Sequence, residues 1–135
     1  MLTRAIYVSD AVGQAGATAL SLAEILGVAI RNNRLRNLSG ALLFHDGRFL
    51  QMIEGAAPDV ERLLADLTAD PRHQDIRILV RGPVAARRFT GWPMAQCRVT
   101  PAVLRLLADR SLDALTPEAA ESVLEVATAP LEAAG

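Results

Sequence analysis

Gly40-Ala41-Leu42-Leu43-Phe44-His45-Asp46-Gly47-Arg48-Phe49-Leu50-Gln51-Met52-Ile53-Glu54-Gly55 is the stretch from which the fold is read. Two largely apolar runs flank Asp46-Gly47, a dipeptide that tolerates positive φ and so closes a two-residue hairpin. The runs predict two antiparallel strands, about residues 40–45 and 48–54. Gly55 ends the second, and Pro58 suits the first turn of a helix. Val60, Leu63, Leu64 and Leu67 then recur at helical spacing until Asp70-Pro71 stops the helix.

Upstream of the hairpin, Leu2 to Ser9 reads as a strand with Tyr7 and Ser9 on one face and Ile6 and Val8 on the other. Gly13 and Gly16 mark a loop. Leu22, Ile25, Leu26 and Ala29 form one apolar stripe, which predicts a helix over about residues 18–32 ending in Arg31-Asn32-Asn33-Arg34. Downstream, Ile76, Ile78 and Val80 alternate as a fourth strand closed by Gly82-Pro83. Trp92 to Val99 reads as a fifth, with Pro93 pointing to an edge or a bulge.

The order β-α-β-β-α-β-β is α+β and ferredoxin-like with one extra strand, a mixed sheet carrying two helices on one face. Its other face would be bare. Two amphipathic segments follow, about residues 102–109 and 117–128, the second capped by Thr116 with Pro117 at its first position. They need a surface to bury against. They are expected to dock on the bare face and to contribute to a homo-oligomer. The chain thus reads as a domain over residues 1–100 and a helical extension over 101–135, in one compact unit.

With 135 residues, the chain is of single-domain length. About half its residues are apolar, and the net charge is −1. No basic stripe points to nucleic acid. All 14 cationic residues are arginine, so Schiff-base and lysine-base chemistry is excluded. Cys97 is the single cysteine, which rules out an internal disulfide and fits a reducing, cytoplasmic location. The N-terminus lacks a signal-peptide pattern, and no apolar run approaches the ~18 residues of a membrane span. His45 and His73 have no metal-ligand spacing to Cys97, so no metal site is expected. Gly13 and Gly16 complete no nucleotide-binding fingerprint.

Gln51 is the most informative polar residue. It stands mid-strand among apolar neighbours, on one face with Phe49 and Ile53. A buried amide without partners costs a few kcal/mol, about 1–3 by mutational measures, so Gln51 is either a satisfied structural amide or part of a site. Tyr7, the only tyrosine, also lies mid-strand; a core tyrosine with a satisfied hydroxyl is the bland reading. Together a phenol and an amide make a pair in which each partner can donate or accept. Asn32 and Asn33 read as a polar helix end, and Arg72 and His73 as a solvated turn, although Arg72 has the donors to hold a phosphate.

Taken in order, these pieces resemble the BLUF family of flavin photoreceptors over about residues 2–98. The resemblance rests on Ile6-Tyr7-Val8-Ser9, Arg31-Asn32-Asn33, Leu38-Ser39-Gly40-Ala41-Leu42-Leu43, Phe49 to Gly55, Asp70-Pro71-Arg72-His73 and Arg88-Phe89-Thr90-Gly91-Trp92-Pro93-Met94. It implies a non-covalent flavin, FAD with FMN or riboflavin as alternatives, held between the two helices. Tyr7 becomes the electron and proton donor, Gln51 the link between Tyr7 and the flavin, and Asn33 the partner of the flavin's carbonyl and imide edge. Arg31 and Asn32 line the ring and ribityl side, Ile25 and Ile53 supply apolar walls, and Arg72 and His73 lie near the ribityl phosphate. Trp92 and Met94 match positions linked to signalling. The expected lasting change is a rearranged Tyr7–Gln51–flavin hydrogen-bond network, read out by an unidentified downstream protein and not by an enzymatic step. Neither nucleic acid nor membrane is an expected partner.

Two other functions could sit on the same fold. An acylphosphatase-like hydrolase on the same fold needs an arginine in the loop after the first strand, and Asp10 to Ala17 contains none. A flavin-free interaction module would not require Tyr7, Asn33 and Gln51 together.

Overall fold

The computed structural model describes residues 2–11, 31, 36–69, 73–88 and 95–134. The strands are β1 (Leu2–Ala11), β2 (Ser39–His45), β3 (Arg48–Ala56), β4 (His73–Val84) and β5 (Ala95–Cys97). The helices are α1 (Ala57–Ala69), α2 (Pro101–Leu107) and α3 (Pro117–Ala134), with a short 3-10 turn at Leu112–Ala114. The helix expected over residues 18–32 lies outside the described residues, except that Arg31 is helical.

The sheet order is β4-β1-β3-β2-β5. β1 pairs antiparallel with β3 and β4, β2 pairs antiparallel with β3, and β5 lies parallel to β2. The first four strands therefore have the ferredoxin-like arrangement, and β5 adds the extra edge. The hairpin closes as its sequence requires, with Asp46 at φ 52° and Gly47 at φ 74°.

Alternation along the strands separates two cores. Ala5, Tyr7, Leu42, Phe49 and Ile53 pack under Val60, Leu63 and Leu64 of α1. Ile6, Val8, Leu43, Leu50 and Met52 pack against Val103 and Leu107 of α2, Leu112, and Val123, Leu124 and Ala127 of α3. The C-terminal helices thus cover the sheet face opposite α1, as their stripes predict. Thr100 Oγ1 accepts from Val103 N (3.3 Å) at the start of α2, and Thr116 Oγ1 accepts from Ala119 N (3.1 Å) at the start of α3.

The structure differs from the sequence reading in several places. β4 runs on through Gly82 and Pro83 to Val84, because it is an edge strand where a missing proline donor costs no ladder bond. A register shift beside Tyr7 places Leu79 between the partners of Ile6 and Tyr7, so the simple alternation of Ile76, Ile78 and Val80 is broken by a bulge. α3 continues past Thr128 to Ala134 with Pro130 inside it. Pro130 offers no donor to the carbonyl of Val126, and Thr128 Oγ1 turns back onto the carbonyl of Leu124 at 2.8 Å. Of the expected fifth strand, Ala95–Cys97 is extended; residues 92–94 lie outside the described residues.

Candidate functional site

The site is built on the middle of the sheet. Tyr7 on β1 and Gln51 on β3 are direct register partners, and Leu42 on β2 is the next residue in the same row. Directly opposed residues on neighbouring strands have Cβ atoms about 4.5–5.5 Å apart, so phenol and amide stand side by side on the α1 face. Both strands are interior to the sheet, which holds the pair from both sides. Tyr7 is 1% exposed and Gln51 3%.

Burial raises the Tyr7 phenol well above its ordinary ionisation range, because a phenolate there would lose its hydration. The group is therefore a neutral O–H. Gln51 Oε1 is buried and has no hydrogen-bond partner among the described residues. A buried acceptor left open costs about 1–3 kcal/mol, so the site suits a group whose polar edge meets this amide. Leu42, Phe49 and Ile53 of the sheet and Leu63 and Leu64 of α1 belong to the apolar cluster on this face. Ile53 is fully buried.

The remaining residues expected at the site divide in two. Arg31 is described, and it is helical and exposed. Ile25, Asn32, Asn33, Arg72, Trp92 and Met94 lie outside the described residues, and His73 is placed only by its backbone at the start of β4. No group of three histidine, cysteine or acidic residues that could hold a metal occurs among the described residues.

The sequence reading passed over Glu54. It is fully buried three residues after Gln51, on the opposite face of β3. Arg4 is its direct partner on β1, and both Arg4 Nε (3.0 Å) and Arg4 Nη2 (2.9 Å) donate to Glu54 Oε2. Pairing Arg4 with Glu54 needs the β1–β3 register, which the separate runs do not supply.

The family model for BLUF, sensors of blue light using FAD, matches residues 2–95. The chain belongs to the BLUF family. This BLUF chain is thus a blue-light sensor using FAD, and the buried phenol–amide pair stands within the matched span. It is 34% identical over 98 residues to the photoactivated adenylate cyclase subunit beta of Euglena longa, a match over 73% of this chain and 11% of that protein. The BLUF chain therefore spans about a tenth of that relative's length. BlrB, a BLUF protein solved in its dark state, is 29% identical with a TM-score of 0.67, over 90% of this chain and 96% of that one. BlsA in its photo-activated state has a TM-score of 0.87 over 96% of both chains at 23% identity, a likeness of fold that takes in the C-terminal helices.

Proposed function

We propose that this BLUF chain senses blue light through Tyr7 and Gln51 and passes the signal on by protein contact, not by an enzymatic step of its own. The observation that carries this reading is the direct cross-strand pairing of a buried phenol with a buried amide whose Oε1 has no partner among the described residues. FAD fits that open amide, and FMN or riboflavin would present the same ring. When bound, the flavin supplies the blue-light chromophore and, once excited, an acceptor for an electron.

The residues of the chain do the rest. Tyr7 is the electron donor and holds its proton at Oη, since burial forbids a phenolate. Gln51 stands beside it with one acceptor oxygen and one donor nitrogen, so a proton leaving Oη has a partner and can return. A reoriented or tautomerised Gln51 exchanges donors for acceptors with every neighbour, which is enough to bias a two-state element by about 1 kcal/mol. Asn33, with Arg31 and Asn32, would hold the ring and ribityl side. Arg72 and His73 would meet the phosphate, Ile25 and Ile53 would wall the ring, and Trp92 and Met94 would carry the change outward.

Residues 1–100 form the flavin-binding unit of this reading and residues 101–135 its helical extension. A homo-oligomer, an unidentified downstream protein and a cytoplasmic location belong to the same proposal. No helix among the described residues is long and apolar enough to cross a membrane. The test is direct: the purified chain incubated with FAD should turn yellow, retain flavin through gel filtration and show a red-shifted absorption band under blue light. Protein that stays colourless refutes the assignment of this site.

A further inference from the structure

We propose that Glu54 is the positioning residue that carries a change at Gln51 to the β4–β5 connection and to α3. This rests on the reading of Tyr7 and Gln51 as the photochemical pair. β3 presents Gln51 to one face and Glu54, three residues further on, to the other. A shift of the strand at Gln51 therefore moves Glu54 beneath the C-terminal helices.

Among the described residues, Glu54 is a junction of four elements. Its Oε2 accepts two bonds from Arg4 of β1, and its Oε1 accepts the main-chain N–H of Arg88 at 2.7 Å. Its main-chain carbonyl accepts from Arg87 Nη1 at 3.0 Å. The same Arg87 nitrogen donates to Ser39 Oγ (2.9 Å), and Arg87 Nη2 donates to the carbonyl of Asn37 (2.7 Å), which ties in the start of β2. Residues 85–88 begin the connection from β4 to β5, two strands at opposite edges of the sheet. That connection is thus fastened to β3 at Glu54 through both its carboxylate and its backbone.

From this junction two arginines reach α3. Arg88 Nη2 lies 3.4 Å from Glu125 Oε1, and Arg4 Nη1 lies 4.0 Å from Glu121 Oε1. They line a cavity of about 180 Å³ together with Met52 and Leu124. Space beside the junction lets these side chains move without a packing clash. The carboxylate is essential because it serves Arg4 and the Arg88 N–H at once. A neutral amide has one acceptor oxygen and turns an N–H₂ toward donors, so it cannot serve both.

The test uses the full chain loaded with FAD, with amide hydrogen exchange read in the dark and under blue light. In the unaltered protein, light should change exchange over 85–88 and over 117–130 by at least about threefold. Glu54→Gln should form the red-shifted state normally and lose both light-minus-dark differences. The double variant Glu121→Gln/Glu125→Gln changes two solvent-facing residues and keeps the fold. It should retain the response over 85–88 and lose that over 117–130. A full light response of α3 in either variant overturns the proposal, and the double variant decides the matter if Glu54→Gln does not fold. An unaltered protein that red-shifts without any response in α3 also overturns it. Absence of the red shift in the unaltered protein instead overturns the photochemical reading beneath it.

Discussion

Tyr7 and Gln51 face each other across the β1–β3 ladder, both almost wholly buried, on the sheet face covered by α1. The only phenol in the chain is thus held against an amide by two interior strands. Gln51→Leu keeps similar volume and removes the hydrogen-bonding atoms, so packing is preserved. The variant should fold, stay yellow with FAD and show no light-induced red shift. Difference spectroscopy before and after blue illumination checks this.

Tyr7→Phe removes one hydroxyl and leaves the ring in its buried apolar cluster on the α1 face. Flavin binding should persist, the stable red-shifted state should be lost, and flavin fluorescence should rise as the main quenching route disappears. With a single tyrosine present, any tyrosyl radical seen by transient spectroscopy belongs to this residue. A red-shifted state in good yield from Tyr7→Phe would contradict its role.

Stability should fall on the alkaline side. Burial raises both Cys97, to about 11 from 9.0, and Tyr7, from 10.0. Between the unfolded and folded values the unfolded chain releases protons that the folded chain keeps, so stability falls as pH rises. Stabilisation from the neutral thiol is full below about pH 9 and is lost progressively toward pH 11. Urea midpoints measured from pH 8 to 11 should decline, and Cys97→Ala should flatten that decline.

On the acid side the sign reverses. The Ser111 hydroxyl holds the Asp113 carboxyl below its ordinary 3.8, helped by Arg48 and Arg77. Arg77 Nη1 lies 3.4 Å from Asp113 Oδ2 and Arg48 Nε 3.5 Å from Asp113 Oδ1, which ties the turn before α3 to the sheet. A carboxyl with a lowered value stabilises above its unfolded value and ceases to do so as pH falls through the folded one. Asp113→Asn should therefore lower the urea midpoint at pH 7, by an amount that shrinks as pH falls below 3.8. Partial exposure keeps the loss small, within about 1 kcal/mol.

Gly40 and Gly55 should differ in their tolerance of alanine. A Cβ at Gly40 would fall 2.1 Å from the main-chain oxygen of Met52, so β2 and β3 would have to separate. A Cβ at Gly55 would fall 2.3 Å from Leu38 Cδ2, a side-chain methyl that can turn away. Chemical denaturation should show Gly40→Ala costing roughly 2–4 kcal/mol and Gly55→Ala roughly 1–2.

Removing residues 101–135 uncovers Ile6, Val8, Leu43, Leu50 and Met52. An exposed apolar sheet face of this kind drives association. A chain ending at Thr100 should lose solubility and change its mass state in light scattering. A truncated chain that stays monodisperse at the mass state of the full one refutes a role for the helices in assembly.

The amino-acid sequence by itself determined the strand pattern, the hairpin and the faces. Alternation assigns Tyr7 and Ser9 to one side of β1 and Ile6 and Val8 to the other, and Asp46-Gly47 sets the β2–β3 register, because both are local properties of backbone geometry. Periodicity likewise showed that α2 and α3 need a surface. Only the tertiary structure decided that Tyr7 opposes Gln51, since register between β1 and β3 is set by packing of whole sheet faces across some forty residues of chain. The bulge that offsets Leu79, the continuation of β4 through Pro83 and the burial of Glu54 between Arg4 and the Arg88 N–H were decided at the same level. A glutamate in sequence reads as a surface charge. It becomes a buried junction only when distant donors converge on it, and local pattern carries no record of that convergence.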